Sequence, residues 1–199
     1  MPSAWQARPS MCVDMKKQPQ RKRPAHPPPV ERHNQPTVLH LTVCAQQRSA
    51  RLDSPVMHEL IRAAWLEADS WLVGDYVIMP DHVHLFCVPN TFPPESVKRW
   101  VKYWKAIVSR AVADHGPLGG TRSTASEDVL RRRAGSGSPG RGGTRPSSLW
   151  QRDCWDTQMR SHDHYVEKLH YVRHNPVRKG LAQDAEDWPH QGCLHVIRW

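Results

Sequence analysis

The stretch whose side chains are best suited to chemistry is MPDHVHLF, residues 79–86. It carries two histidines one residue apart. Its β-branched and apolar residues predict a buried strand. Because side chains alternate across a strand, His82 and His84 point to the same face, with Cβ atoms about 7 Å apart. Two imidazoles at that separation can converge on one metal ion, although two ligands are too few to hold a metal well.

A second group of polar side chains occurs in HDHYVEKLHYVRHNPVRKGL, residues 162–181. The spacing of its apolar residues predicts a helix from residue 162 to about residue 175. Its apolar face consists of Tyr165, Val166, Leu169 and Val172. Tyr171 lies off the centre of that face, and Asn175 follows on the same side one turn later. The helix therefore presents a phenol hydroxyl and an amide oxygen together.

These polar groups, on a basic chain, are suited to a metal-assisted attack on a phosphodiester. Each also has a purely structural explanation. The histidines can occupy a solvated sheet face by chance, Tyr171 can sit at a core boundary, and Asn175 can cap a turn. The combination favours a functional site, because imidazoles between apolar neighbours are costly to bury unless they bind a partner.

The surrounding sequence predicts an order of strand, helix, strand, strand, helix, strand, helix. The predicted strands span 37–44, 71–79, 82–88 and 150–159, and the predicted helices span 55–68, 93–114 and 162–175. This order predicts an α+β fold in which helices pack on an antiparallel sheet.

The chain is basic, with a formal net charge of +9 in 199 residues. A positive field favours polyanions, so nucleic acid is the first partner to expect. Six basic residues are the candidate phosphate contacts: Lys98, Lys102 and Lys105 on the second predicted helix, and the run Arg131, Arg132 and Arg133.

Two segments have compositions that cannot form a core. Residues 1–36 form a basic, proline-rich arm, and residues 116–148 form an insertion rich in glycine, serine, proline and arginine. We therefore expect one domain over 37–185, interrupted by that insertion, with a C-terminal extension at 186–199.

The five cysteines are scattered, odd in number and without a CxxC pair. This pattern favours free thiols in a reducing compartment over disulfides or a zinc ribbon. No segment approaches the ~18 consecutive apolar residues that a spanning helix requires. The sequence thus predicts a soluble, cytoplasmic protein with no membrane partner.

Four tryptophans near the motifs could pack in a core or stack on bases. Trp100 and Trp104 fall on the apolar face of the second predicted helix, which assigns them to the core. For Trp150 and Trp155 both roles stay open.

The motifs also resemble those of a known family. MPDHVHLF resembles the His-hydrophobic-His motif of the HUH endonucleases, and HYVRHNPVRKGL is similar to a tyrosine segment of the REP-associated tyrosine transposases. WQRDCWDTQMR, residues 150–160, is similar to the Trp-Gln segment that precedes that helix in the same family. The resemblance covers about residues 37–185 apart from the insertion.

The resemblance implies a ferredoxin-like or RRM-like HUH endonuclease fold. It also implies cleavage and transfer of single-stranded or hairpin DNA through a 5′-phosphotyrosine. Carried over by position, Tyr171 is the nucleophile. The ligands of a divalent ion, Mg²⁺ or Mn²⁺, are then His82, His84 and Asn175.

Alternatives to this enzyme stay open. A non-catalytic nucleic-acid-binding module on the same scaffold predicts that Tyr171→Phe leaves all function intact. A structural metal protein is disfavoured by the lack of a third and fourth histidine or cysteine at a short spacing. Tyr171 can act in its own chain or in a partner chain, so monomer and homodimer are both compatible with the sequence.

Overall fold

The structure is a computed structural model, and it describes residues 37–46, 52–115 and 148–198. The predicted basic arm at 1–36 lies outside the described residues, and so does the predicted insertion apart from Ser148. Within the described ranges, no helix combines the length and the apolar character needed to cross a membrane.

One antiparallel sheet organises the described residues. Its strands are β1 Leu39–Cys44, β2 Trp71–Ile78, β3 His82–Pro89, β4 Trp155–Gln158 and β5 Gln191–Cys193. Their order across the sheet is β4-β1-β3-β2-β5, so β3 is central. A tight turn at Pro80 and Asp81 joins β2 to β3, and the Met79 N–H closes it by donating to the His82 carbonyl at 2.8 Å.

The helices of the described ranges are α1 Pro55–Glu67, α2 Val97–His115, α3 His162–Arg173 and the short α4 Asn175–Arg178. Serine side chains begin two of them. Ser54 accepts a hydrogen bond from the Met57 N–H at the start of α1, and Ser161 accepts one from the His164 N–H at the start of α3. The predicted α+β class, with helices packed on an antiparallel sheet, is confirmed.

One face of the sheet packs against α1 and α2. On β3, Val83, Leu85 and Cys87 point to this side and are fully buried. Trp100 and Trp104 of α2 are also fully buried in this cluster, as the helical spacing predicted. The large apolar area of these rings makes this layer the main hydrophobic core.

The opposite face of the sheet carries the histidines and packs against α3. Phe86 of β3 and Tyr165 of α3 meet edge to face, with ring centroids 5.0 Å apart, and Val172 is fully buried beside them. Val166 is exposed, so its predicted place on the apolar face is wrong. It follows Tyr165 by about 100° around the helix, which turns it away from the sheet.

The two sheet edges differ from the sequence prediction. The strand predicted over 150–159 is reduced to β4, because Trp150 forms only an isolated bridge with Ala45 and packs into the core. At the other edge, β5 pairs with β2 and comes from the segment expected as an extension. Its three residues include no β-branched or aromatic side chain, so local sequence gave no sign of a strand.

Candidate functional site

The candidate site lies on the α3 side of the central strand β3. His82 and His84 both point to this side, and their Nε2 atoms are 3.1 Å apart. His84 is buried, with 7% of its surface exposed, whereas His82 is half-buried. The alternation of the strand thus brings two imidazoles to one point.

Oxygen atoms hold both rings through their Nδ1 atoms. Asp81 Oδ1 lies 2.6 Å from His82 Nδ1, and Thr42 Oγ1 lies 3.0 Å from His84 Nδ1. Thr42 is on β1, directly opposite His84. Metal-binding imidazoles commonly have an oxygen partner at their second nitrogen, which fixes the ring and leaves the other nitrogen for the ion. The two Nε2 atoms are therefore the candidate donors.

Asn175 reaches the same point from a distant part of the sequence. It begins α4, just after the end of α3, and it is buried with 7% exposed. Its Nδ2 atom lies 2.8 Å from His84 Nε2. Rotating the amide by 180° exchanges Nδ2 and Oδ1, so the same side chain can present an oxygen here. The structure thus brings together His82, His84 and Asn175.

The chemistry of this donor set fits a divalent ion. Two ligand atoms that bind one ion at about 2.1 Å and near a right angle lie about 3 Å apart. The separations of 3.1 Å and 2.8 Å around His84 Nε2 are of that size. Among the described residues, no three histidine, cysteine, aspartate or glutamate side chains group as a metal site, so the amide would be the third ligand. Imidazole donors suit Mn²⁺ or Zn²⁺ better than Mg²⁺.

His40 is a further histidine of this region, and sequence reasoning missed it. It lies on β1, and its ring stacks on that of His84 with centroids 5.3 Å apart. Burial, followed by Lys168 and His164, lowers the pKa of His40 to about 3. Burial, followed by His40, His82 and Lys168, lowers the pKa of His84 to about 2. Only the register between β1 and β3 reveals this neighbour, so no spacing in the sequence could have indicated it.

Tyr171 is on α3 and is 43% exposed. Two cations face its ring: Lys168 Nζ is 5.1 Å and Arg178 Cζ is 4.6 Å from the ring centroid. Together with His164 and Glu167, the lysine and the tyrosine line a pocket of about 150 Å³. Lys168 therefore lies beside Tyr171, and its charge also lowers the pKa of His40 and of His84.

Asp75 of β2 fixes the helix that carries Tyr171. Its Oδ2 atom accepts a hydrogen bond from the Tyr165 hydroxyl at 2.7 Å, and its Oδ1 atom accepts one from Arg173 Nη2 at 2.7 Å. Burial, followed by the bond to Asp75, raises the pKa of Tyr165, so that hydroxyl stays protonated and donates. The two contacts lie near the two ends of α3, which holds the helix against the sheet.

The lysines predicted to contact phosphate lie on α2, on the other side of the sheet from the histidines. Lys98 and Lys102 are exposed there. Lys105 is buried instead, and its Nζ donates to the Gln151 carbonyl at 2.6 Å. Lys105 therefore joins α2 to the segment before β4 and is not available on the surface. The predicted arginines Arg131, Arg132 and Arg133 lie outside the described residues.

Comparisons with known proteins give one short sequence match and broader structural matches. No protein-family model matches the chain. A Haemophilus influenzae protein that carries the name REP-associated tyrosine transposase is 30% identical over 54 residues, which are 27% of this chain. The matched segment spans about a third of that relative, 31% of its length.

Solved structures give broader coverage. A REP-associated tyrosine transposase bound to a REP hairpin aligns with a TM-score of 0.56 and 17% identity, over 81% of this chain and 80% of its own. A structure assigned as a Deinococcus radiodurans transposase aligns with a TM-score of 0.42 and 17% identity, over 72% of this chain and 94% of its own.

The described residues therefore belong to the α+β class in which helices pack on one antiparallel sheet, and they share the fold of the solved REP-associated tyrosine transposase. Within that class, the chain resembles the REP-associated tyrosine transposases in both fold and sequence. The resemblance predicted from the motifs is confirmed.

Proposed function

We propose that this chain is a divalent-metal-dependent endonuclease and strand transferase that acts on single-stranded or hairpin DNA. The observation that carries the proposal is the 2.8 Å contact between Asn175 and His84, 91 residues apart in sequence, beside the His82 imidazole. This contact supports the three side chains as the donor set that the motifs imply. The likeness to a transposase solved with a REP hairpin, and the net charge of +9, support DNA as the substrate.

His82, His84 and Asn175 would hold the ion, Mg²⁺ or Mn²⁺. When bound, that ion supplies positive charge that stabilises the charge developing on the phosphate. Asp81 and Thr42 keep the two imidazoles oriented, so little rearrangement is needed when a substrate arrives.

Tyr171 would be the nucleophile. Its hydroxyl would give its proton to water, and its oxygen would attack the scissile phosphorus in line, which forms a phosphotyrosine at the 5′ end of the downstream strand. The bond from phosphorus to the 3′ oxygen breaks, and that oxygen leaves as a 3′-hydroxyl after taking up a proton. Attack by another 3′-hydroxyl on the phosphotyrosine reverses these steps and joins two strands. Cleavage and transfer thus need only one site.

Lys168 and Arg178 would act on the same step. Both cations lie close to the Tyr171 ring, so each would act on negative charge that develops at its hydroxyl oxygen during attack. Fixed positive charges at such a position stabilise a transition state more than the neutral ground state.

The test is incubation with end-labelled hairpin DNA and Mn²⁺, analysed on a denaturing gel. The wild-type chain should form a DNA-protein adduct, and Tyr171→Phe should form none. Tyr103→Phe is a matched control, because Tyr103 is similarly exposed but lies on α2. It should form the adduct as the wild type does.

Other outcomes would contradict the proposed enzymatic activity. Binding without cleavage or adduct, across a library of hairpins, would favour the non-catalytic binding module. An adduct that persists in Tyr171→Phe would show that another residue is the nucleophile.

A further inference from the structure

Trp155 differs from the other tryptophans of the described residues. The other six are buried, with at most 7% exposed: Trp65, Trp71, Trp100, Trp104, Trp150 and Trp188. Trp155 is 39% exposed on the edge strand β4. For Trp150 and Trp155, the sequence left open whether each packs in the core or stacks on bases. Burial assigns Trp150 to the core. An exposed indole contributes little to a core and is a candidate contact surface.

The sheet register places Trp155 on the same face as the candidate site. Residues directly opposite each other in antiparallel strands share a face. Trp155 is opposite Thr42, and Thr42 is opposite His84, to which it is also joined by its hydroxyl at 3.0 Å. Two strand spacings, about 10 Å, separate the backbone of Trp155 from that of His84. A nucleotide next to the scissile phosphate can span that distance.

The surroundings of Trp155 suit a nucleotide better than a protein. Its exposed neighbour on the same face of β4 is the polar Thr157, so the indole is not part of an apolar patch. Exposed arginines flank the strand in sequence, Arg152 before it and Arg160 after it. On a chain with a net charge of +9, a single exposed aromatic ring is typical of surfaces that bind single-stranded nucleic acid.

We propose that Trp155 is the stacking platform for an unpaired base beside the scissile phosphate. This inference rests on the proposed function, because it assigns a place to the substrate of the same site. Stacking of this kind tolerates any base but needs one that is not paired. The indole thus selects single-stranded over double-stranded DNA at the point of cleavage.

The test compares the binding of a fluorescent, random-sequence single strand of twenty nucleotides with that of the corresponding duplex, at one fixed salt concentration. Trp155→Ala should weaken single-strand binding by about 5- to 150-fold, the range of one lost base stack. It should leave duplex binding nearly unchanged. Trp155→Phe, which keeps an aromatic ring, should recover most of the affinity. Tyr103→Ala removes an exposed ring from the opposite layer. It should change neither the affinity for the single strand nor the affinity for the duplex.

Three results would overturn the assignment. Trp155→Ala could bind the single strand as tightly as wild type does. Its affinity could fall by the same factor for the single strand and for the duplex. It could instead change the mass of the DNA-free protein in light scattering, which would make the indole a contact between copies of the chain.

A crosslinking measurement on the wild-type chain avoids dependence on any variant. A single strand substituted with 5-iododeoxyuridine is irradiated on the protein, and the attached peptide is identified by mass spectrometry. The crosslink should map to Trp155. Crosslinks only to other residues would refute the platform.

The failure of this inference can be told from a failure of the proposed function. If Tyr171 forms its DNA adduct but Trp155→Ala binds as wild type, only the stacking platform is wrong. If the wild-type chain neither binds DNA nor forms an adduct, both are wrong.

Discussion

His84 is the residue on which the candidate site most depends. Its Nε2 atom faces His82 and Asn175. Its Nδ1 atom contacts the Thr42 hydroxyl, and its ring stacks on that of His40. A buried polar ring is tolerated because its nitrogens have partners. Substitutions around His84 should therefore act through the position of this one ring.

Thr42→Val tests that dependence at the scale of a single hydroxyl. The two side chains have nearly the same shape, but valine cannot contact His84 Nδ1. We expect Mn²⁺ to bind about 10- to 100-fold more weakly, as happens when metal-binding histidines lose such a partner. Paramagnetic resonance of free Mn²⁺ during a titration measures the affinity. Thr42→Ser keeps the hydroxyl and should bind like wild type, whereas unchanged affinity in Thr42→Val would show that the hydroxyl does not orient the ligand.

At the scale of elements, the position of α3 matters most. This helix carries Tyr171 and leads directly into Asn175, so a small shift of α3 moves both. It packs on the sheet through Tyr165 and Val172, and Asp75 adds the polar contacts at its ends. The geometry of the site is therefore a consequence of how one helix docks on β2 and β3.

Asp75→Asn should loosen this docking. The carboxylate side chain is 14% exposed, and it accepts from both Tyr165 and Arg173. Weakening these two charge-assisted bonds should lower the free energy of unfolding by about 1–3 kcal/mol. Most of the loss should come from the Tyr165 bond, because Arg173 is half exposed and its ion pair is screened by solvent.

Urea denaturation measures the loss, and hydrogen exchange of the α3 amides should become faster in the variant. Glu59→Gln is the control, since it removes only the exposed pair of Glu59 with Arg62. Its free energy of unfolding should stay within about 0.5 kcal/mol of wild type. Equal stability of wild type and Asp75→Asn would show that apolar packing alone holds α3.

At the scale of the whole molecule, partly buried histidines link the layers and tie stability to pH. His58 of α1 lies 2.9 Å, through Nε2, from the hydroxyl of Tyr76 on β2. Its ring also meets that of His190, which precedes β5, with centroids 5.6 Å apart. Helix, sheet and edge strand thus meet around one imidazole whose pKa is lowered by burial, which favours its neutral form.

His58 should make the fold less stable as the pH falls. Burial, followed by His190 and Arg62, lowers the pKa of His58 below the ordinary value of 6.5. The unfolded chain therefore takes up protons near pH 6.5 that the folded chain does not, so the stabilisation is complete above that pH and is lost below it. Buried His40 and His84 act in the same direction.

Urea denaturation at about pH 7.5, 6.5 and 5.5 gives the free energy of unfolding at each pH. The wild-type value should fall with pH, and His58→Gln should fall less, because glutamine can still bond to Tyr76 but does not titrate. Identical pH dependence in the two proteins would exclude His58 as a contributor.

The sequence by itself determined the features that depend on one element. Strand alternation put His82 and His84 on one face. Helical spacing predicted the helix that carries Tyr171, but Asn175 lies beyond the end of that helix, in α4. Helical spacing also predicted that Trp100 and Trp104 belong to the core. Each of these follows from the repeat of a single backbone conformation, which is local and therefore visible in residue spacing.

Only the tertiary structure decided what the elements present to one another. Asn175 reaches His84 across 91 positions, and Thr42 becomes its partner through the pairing of β1 with β3. The same packing buries Lys105 and leaves Trp155 exposed. Pairing register and the choice of sheet face arise from contacts between distant segments, so they are not encoded in the spacing within any one segment.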